Sequence, residues 1–442
     1  MVNTDNKLDN TSITKLKTTG RKKSKRILIL SFYFPPCTGT GAPRPYSWAK
    51  VFVENGYEVT VASKHWTGKE KNWSQMVAST ELTQPEVSFE KGYKKIFFPF
   101  TSYKYPSNQI LRKVKTIYNL LVGDLEIEAN TLQFKQKLEK EIEQESYDYI
   151  IASCPPWNLV KLAHALGTKY NIPFAIDCRD YENDVILPLK PKLSNFRKFE
   201  FLVNKFHIKR WAKKANLIVG ASKPIRDYVA NFTKVKGIEI TNGYDDDLFN
   251  SLPKVDLFPK FTISVLGYLY PPQDLSILYA GVKEFLRRVE KPKFQFLFVG
   301  VQAIESVATE ITNNLPSEYI KITERIPQKE ALTIGLQSHA LYYAGWTNWR
   351  GVYSAKIFEY LALKKNILIA PGDNFAIDDL IKRSGAGKIA NDPNTFADIL
   401  EEWYLHWEGG NKDDFKGNRD IIEQYSRQNQ ARILLEHIKK SF

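Results

Sequence analysis

The chain has 442 residues, 63 Lys and Arg against 49 Asp and Glu, and 43% apolar side chains with 23 Gly and 22 Pro. That length suggests two domains or three, each able to bury its own core, and the composition excludes a disordered or fibrous class. The net charge of +14 sits almost entirely in residues 1–26, with eight basic side chains and two acids, and in residues 91–118, with seven and none; the nearly neutral remainder argues against a cleft built to follow a phosphate backbone, and no nucleic-acid partner is expected.

Residues 1–25 are polar and without periodicity, the pattern of a mobile basic tail. Ile27 to Phe32 is a short continuous apolar run, as in a strand buried on both faces of a parallel sheet. A Gly/Pro loop from Pro35 to Pro45 follows, then a helical stretch with Trp48, Val51 and Phe52 facing inward, closed by Gly56, then the strand Glu58 to Ala62. Together these make one βαβ unit. The run Ile27 to Phe34 is too short to span a bilayer and no small-residue cleavage site follows it.

The second basic segment holds Lys94 and Lys95, then Phe97, Phe98, Phe100, Tyr103 and Tyr105. It leads into a helical stretch with Ile110, Leu111, Val114, Ile117 and Leu121 on one face and Arg112, Lys113 and Lys115 elsewhere. A basic amphipathic helix beside exposed aromatics is the pattern of a peripheral contact with an anionic membrane; an ordinary core-facing helix with a solvated face gives the same spacing.

Apolar runs continue at Tyr149 to Ala152, Phe174 to Ile176 and Leu217 to Val219. After Asn242-Gly243 a second series runs through Thr262 to Leu266, Phe294 to Val299, Ile320 to Thr323, Ala340 to Ala344 and Asn366 to Ala370. Alternation of strand and helix in both halves predicts an α/β protein with two doubly wound domains, residues 26–242 and 243–415, and a final helical stretch from Arg419 to Lys440. Two such domains leave a cleft at the C-terminal ends of their strands, where this architecture binds ligands.

Three segments could carry chemistry. The loop Pro35 to Arg44 contains Gly39, Thr40 and Gly41 before a helix N-terminus, but Arg44 stands where a dinucleotide fingerprint has its third Gly. Such a loop either approaches a ligand or is an ordinary turn. The stretch from Trp349 to Ala362 places Ser354 at the start of a helix, Lys356 in its first turn and Glu359 one turn further on the same face. With the free N–H groups there, Lys356 could hold a diphosphate and Glu359 could accept from a ribose diol. Arg179 and Asp180 end a buried strand at the cleft and either position an acceptor or pair with each other to pin the loop. Asp245-Asp246-Asp247 contains a D-x-D triplet, but after Asn-Gly it reads as a turn or helix cap and no metal is expected. Cys37, Cys154 and Cys178 are odd in number with no close pair, which supports neither a disulfide framework nor a zinc knuckle and fits a reducing cytoplasm. His65, His164 and His339 have no motif around them.

The sequence resembles the family 4 glycosyltransferases, retaining sugar-nucleotide enzymes of the two-domain GT-B fold, and particularly the branch that builds bacterial surface polysaccharides. Four matches carry this: Ile27 to Arg44 with Gly56-Tyr57-Glu58-Val59-Thr60-Val61, Ser153-Cys154-Pro155-Pro156 with Ile172 to Asp180, Ile240-Thr241-Asn242-Gly243-Tyr244-Asp245 with Phe249, and Ser354 to Ala362. The resemblance implies that Lys356 contacts the donor diphosphate and Glu359 the ribose, and that Arg325-Ile326-Pro327 holds the base through main-chain groups. It further implies that Gly39 to Gly41 face the acceptor and the transferred sugar, and that residues 416–442 form a helix crossing back to the first domain. The chain departs from the family twice. The first Glu of its two-Glu signature falls on Gly351, and Gly267 to Gln273 lacks the family's basic pair.

These readings predict a metal-independent retaining glycosyltransferase of the hexosyltransferase type. It would move a sugar from a nucleotide-sugar, by family frequency a UDP-sugar, to a polysaccharide or lipid-linked acceptor. Ser354, Lys356, Glu359, Gly267, Arg325 and Ile326 would hold the donor. Gly39, Thr40, Gly41 and Arg44 would face the acceptor, and Lys356, Arg179 and Asp180 would act at the reacting centre. Lys94, Lys95, Phe97, Phe98, Arg112, Lys113 and Lys115 would contact the inner face of the plasma membrane. A GT-B epimerase or hydrolase, or a non-catalytic sugar-nucleotide-binding assembly protein, are the alternative readings.

Overall fold

The structure is a computed structural model and describes residues 24–70, 72–124, 134–180, 194–346, 351–411 and 415–442. The basic tail as far as residue 23, with Trp349 and Arg350, lies outside them.

Two sheets carry the molecule. The first contains β1 (Arg26–Ser31), β2 (Glu58–Lys64), β3 (Glu86–Glu90), β4 (Tyr93–Phe98), β5 (Tyr149–Cys154), β6 (Phe174–Cys178), β7 (Leu217–Gly220) and β8 (Gly237–Glu239), in the order β3-β4-β2-β1-β5-β6-β7-β8. Every pairing is parallel except β3 with β4. The second contains β9 (Phe261–Leu266), β10 (Phe294–Val299), β11 (Ile320–Thr323), β12 (Ala340–Ala344), β13 (Asn366–Ala370) and β14 (Gly387–Ile389), all parallel, in the order β11-β10-β9-β12-β13-β14. Helices cover both faces of each sheet, so central strands such as β5 and β12 are buried at every residue and read as unbroken apolar runs. In each sheet the chain reverses its direction of winding beside the first strand, between β1 and β5 and between β9 and β12, which opens the crevice where this architecture receives ligands.

Helix α1 (Pro43–Glu54) packs Trp48, Val51 and Phe52 against Ile27 and Ile29. Helix α2 (Gln109–Leu121) is held at its start by the Asn108 side chain, which accepts from the amides of Ile110 and Leu111. Its apolar stripe faces outward: Ile110, Leu111, Val114, Ile117 and Leu121 are all exposed. Helix α3 (Asn195–Ala212) lies beside it, with Gly123 seated against His207 and Trp211, and exposes Phe196, Phe199, Leu202 and Phe206.

Strand β4 corrects part of the expected membrane contact. Phe97 and Phe98 are 3% and 2% exposed, because β4 lies inside the sheet between β2 and β3 and its alternate side chains enter the cores on its two faces. Lys94 pairs with Glu141 and Lys95 with Glu90 at 3.0 Å. These four residues are not part of an exposed aromatic patch; Arg112, Lys113 and Lys115, on α2, are exposed.

The second half opens with the short helix α4 (Asp246–Asn250), capped by Asp245, whose Oδ1 accepts from the Leu248 amide at 3.2 Å. Helix α5 (Ala355–Leu363) follows β12 and is apolar on the face that packs on the sheet. The C-terminal stretch is broken. Helix α6 (Arg419–Glu423) buries Ile422 in the second half, whereas α7 (Arg427–Ile438) buries Ala431, Leu434, Leu435 and Ile438 against Trp48, Phe52 and Ile238 of the first. Ser426 caps α7, accepting from Asn429 at 3.1 Å, and this new cap marks the break. No described helix is long and apolar enough to cross a membrane.

Candidate functional site

A cavity of about 420 Å³ lies between the two halves. Thr40, Arg44, Arg179 and Asp180 line it from the first, Ser354 and Ala355 from the second, and Arg427 from α7. A smaller pocket of about 60 Å³ adjoins it and shares Tyr270, Trp346 and Ser354; Lys356 lies there.

On the second side the site is built on α5. Ser354 occupies the residue before the helix, but its hydroxyl lies 3.1 Å from the Tyr343 hydroxyl and does not cap the helix. The first-turn amides are thus left without a side-chain cap, and the positive end of the helix opens on the cleft. Lys356 donates from Nζ to the Tyr268 carbonyl, and burial pushes its pKa down to about 8. Gly267 lies beside this side chain with φ of +80°, a backbone conformation that calls for glycine, and a Cβ there would lie 3.2 Å from Lys356 Cε. Glu359 accepts from Gln328 Nε2 at 2.6 Å, and burial raises its pKa. Arg325 is exposed and lies over the Tyr268 ring, 5.5 Å from its centroid, with Nη1 3.2 Å from the phenol oxygen; Ile326 packs against the core beneath α5.

On the first side, the loop after β1 brings Thr40 to the cleft, while Gly41 is buried against Arg179 and Tyr33 and the Gly39 amide lies 3.4 Å from Cys37 Sγ. Arg179 stands over Tyr33, 5.0 Å from the ring centroid, and donates to the Pro155 carbonyl. Its Nε is buried without a partner among the described residues. Asp180 is exposed, and the two do not pair with each other. Arg44 lines the cavity although it is only 3% exposed, and it is bound through Nε and Nη2 to Asp177, at 3.0 and 2.6 Å, and through Nη1 to the Thr241 carbonyl at 2.8 Å. A guanidinium so occupied holds the loop, the sheet and the inter-domain linker together.

Two cations escape the sequence reading. Lys64, at the end of β2, is 2% exposed under the rings of Trp66 and Phe100, 4.3 and 5.1 Å from their centroids. It donates to the Met76 carbonyl, and burial pushes its pKa down to about 8. Arg427 reaches the cleft from α7. It lies inside what the sequence presents as one helical stretch, and only the Ser426 cap signals that a helix begins there.

Asp245 caps α4, and no group of three or more His, Cys, Asp and Glu placed to hold a metal ion occurs among the described residues. Cys154 and Cys178 are in register across β5 and β6, and Cys37, Cys154 and Cys178 are all buried as free thiols.

No protein-family model and no curated protein sequence matches the chain. Solved structures do. A glycosyltransferase from Rickettsia africae ESF-5 superposes with a TM-score of 0.59 at 13% identity over 95% of this chain and 99% of that one. Sucrose-phosphate synthase from Thermosynechococcus elongatus gives 0.58 at 12% identity, covering 94% and 98%. HepE of Anabaena, in complex with UDP, gives 0.58 at 11% identity, covering 94% and 100%. Likeness at these identities fixes the architecture: two Rossmann-like domains in the arrangement of the GT-B glycosyltransferases.

Proposed function

We propose that the protein is a retaining, metal-independent glycosyltransferase of family 4, from the branch that builds bacterial surface polysaccharides. It transfers a hexose from a UDP-sugar to a polysaccharide or lipid-linked glycan. The observation that carries this reading is α5: its uncapped N-terminus and Lys356 stand at the inter-domain cleft of a GT-B fold, with Glu359 one turn further along the helix. Support for the donor comes from HepE, a protein of the same fold solved with UDP and with UDP-glucose.

In this mechanism Lys356 and the α5 amides stabilise the charge that develops on the diphosphate as the bond from the sugar C1 to its oxygen breaks. The acceptor hydroxyl attacks C1 on the same face, and its proton passes to the departing phosphate oxygen. Arg179 and Asp180, across the cleft, position the acceptor, and the Gly39 to Gly41 loop lets it approach. Glu359 binds the ribose, and the chain after β11, at Arg325 and Ile326, faces the base.

The reading places the enzyme at the cytoplasmic face of the membrane, held by the outward stripes of α2 and α3. Together these helices present Arg112, Lys113, Lys115, Arg197, Lys198, Lys205, Lys209 and Arg210 against one acid, Glu200. Apolar side chains set among so many cations match an anionic lipid surface. Sedimentation with phosphatidylglycerol vesicles tests this: Leu111→Glu with Phe199→Glu should abolish it, and unchanged sedimentation removes the membrane from the reading.

A thermal-shift screen across sugar nucleotides tests the donor site. Stabilisation by one of them, lost on Glu359→Ala, is expected; no shift with any nucleotide overturns the reading.

A further inference from the structure

A nucleoside diphosphate brings at least two negative charges into the cleft, and the cations lining it differ in how much hydrogen-bonding capacity they have left. Arg44 spends Nε, Nη1 and Nη2 on Asp177 and Thr241. Arg179 has Nη2 on the Pro155 carbonyl, its Nε enclosed by protein and its plane over Tyr33. Arg427 is different. It makes one side-chain hydrogen bond among the described residues, from Nη1 to Asp245 Oδ2 at 3.1 Å, out of the five N–H donors a guanidinium carries. None of its nitrogens is among the enclosed atoms lacking a partner, and the residue lines the cleft beside Ser354, Ala355 and Asn242.

The chain fixes this group firmly. Arg427 is the first residue of α7, and its amide donates to the Tyr244 carbonyl at 2.9 Å, while the Tyr244 amide donates to Tyr425. The next amide, of Gln428, donates to Asp246 Oδ2 at 3.3 Å. The side chain is 15% exposed, so most of its length is already desolvated and little freedom remains to be lost when a ligand arrives. The segment from Tyr268 to Gln273, on the other side of the α5 N-terminus, offers no cation at all.

We propose that Arg427 is the second cation of the donor site and binds the phosphate oxygens of the nucleoside diphosphate opposite Lys356. This assignment rests on the nucleotide-sugar reading above. It gives the C-terminal helix a ligand-binding role in addition to a packing one: α7 is anchored in the first half, α5 in the second, and the diphosphate joins them.

Calorimetric titration with UDP, inorganic pyrophosphate and uridine tests it on four full-length proteins: wild type, Arg427→Gln, Arg427→Lys and Asp245→Asn. Arg427→Gln should weaken UDP and pyrophosphate by roughly tenfold to a hundredfold, the range for a hydrogen bond from a charged group, and leave uridine unchanged. Arg427→Lys should recover part of the loss. Asp245→Asn breaks the same ion pair but keeps the guanidinium, and should hold UDP within about threefold of wild type. Equal losses in Arg427→Gln and Asp245→Asn, or a loss for uridine matching that for UDP, would make Arg427 a structural tie and overturn the assignment. Arg427→Gln binding UDP as wild type does would overturn it too while leaving the donor site standing. A wild type that binds neither UDP nor pyrophosphate would remove the donor site itself.

Discussion

Arg179 fills the space that a side chain on Gly41 would need. A Cβ at position 41 would overlap Arg179 Nη1 and lie 2.8 Å from its Cζ and 2.9 Å from Tyr33 Cδ2. The glycine of the loop after β1 is therefore required by an arginine on the loop after β6, and the pair sets how closely the two loops approach at the cleft. Gly41→Ala should displace the guanidinium from Tyr33. A displacement of about 1 Å at a reacting centre costs roughly 10²-fold in rate, so kcat/KM for transfer should fall by about that factor while UDP affinity is kept. Calorimetry beside steady-state kinetics separates the two; a parallel loss of UDP affinity would show that the loop shapes the donor site instead.

The Arg44–Asp177 pair predicts a stability effect. Asp177 is fully buried and also accepts from Ser153 Oγ at 2.8 Å. Removing one member of such a pair leaves an uncompensated buried charge and costs about 3–5 kcal/mol. Asp177→Asn should lower unfolding stability by that amount in urea denaturation; a change under about 1 kcal/mol would mean that the hydrogen bonds to Arg44, which an amide oxygen can still accept, matter more than the charge.

Lys356 predicts a pH dependence. Its pKa of about 8 lies below the ordinary lysine value of 10.5, so it loses charge as pH rises through 8. UDP affinity should fall between pH 7 and pH 9, with proton uptake on binding at pH 8.5 measured in buffers of different ionisation enthalpy. The stability sign is the reverse. Between pH 8 and 10.5 the unfolded chain holds this proton and the folded chain does not, so the cost of burying the charge is full below pH 8 and is relieved as pH rises toward 10.5. Lys356→Met should therefore raise the Tm of the free protein at pH 7 while abolishing UDP binding.

Glu359 predicts ribose discrimination. A carboxylate accepting from a ribose hydroxyl contributes about 1.5–3 kcal/mol, so the wild type should prefer UDP to 2′-deoxy-UDP by roughly tenfold or more. Glu359→Ala should bind both alike. Retained preference in that variant would move the ribose contact to another group, with Gln328 the nearest candidate.

The fold was legible where burial is complete. Strands β10, β12 and β13 begin and end where their apolar runs do, because a strand covered on both faces has little polar alternation to blur its limits. Strand β3 hid because Glu86 and Glu90 face water at a sheet edge, β4 because Lys94 and Lys95 interrupt its apolar run, and β8 and β14 because three residues are too few to show a period. Lys356 and Glu359 could be placed together because one helical turn separates them. Arg427 could not be joined to Ser354, since only packing of the two halves brings these distant segments to one cavity. The outward stripe of α2 shows the opposite limit: spacing alone does not distinguish a face turned to the core from one turned away.

The break between α6 and α7 has a mechanical consequence. The backbone passes between the two halves twice, near Asn242 to Asp245 and again near Gln424 to Arg427, and the two passages run side by side, tied through Tyr244 and its partners Tyr425 and Arg427. A single covalent strand would allow the halves to swing and twist freely, as a lid does on a cord. Two parallel strands bonded to each other act as a door hung on two pins: any movement of one half against the other is confined to rotation about one line, and torsion is resisted.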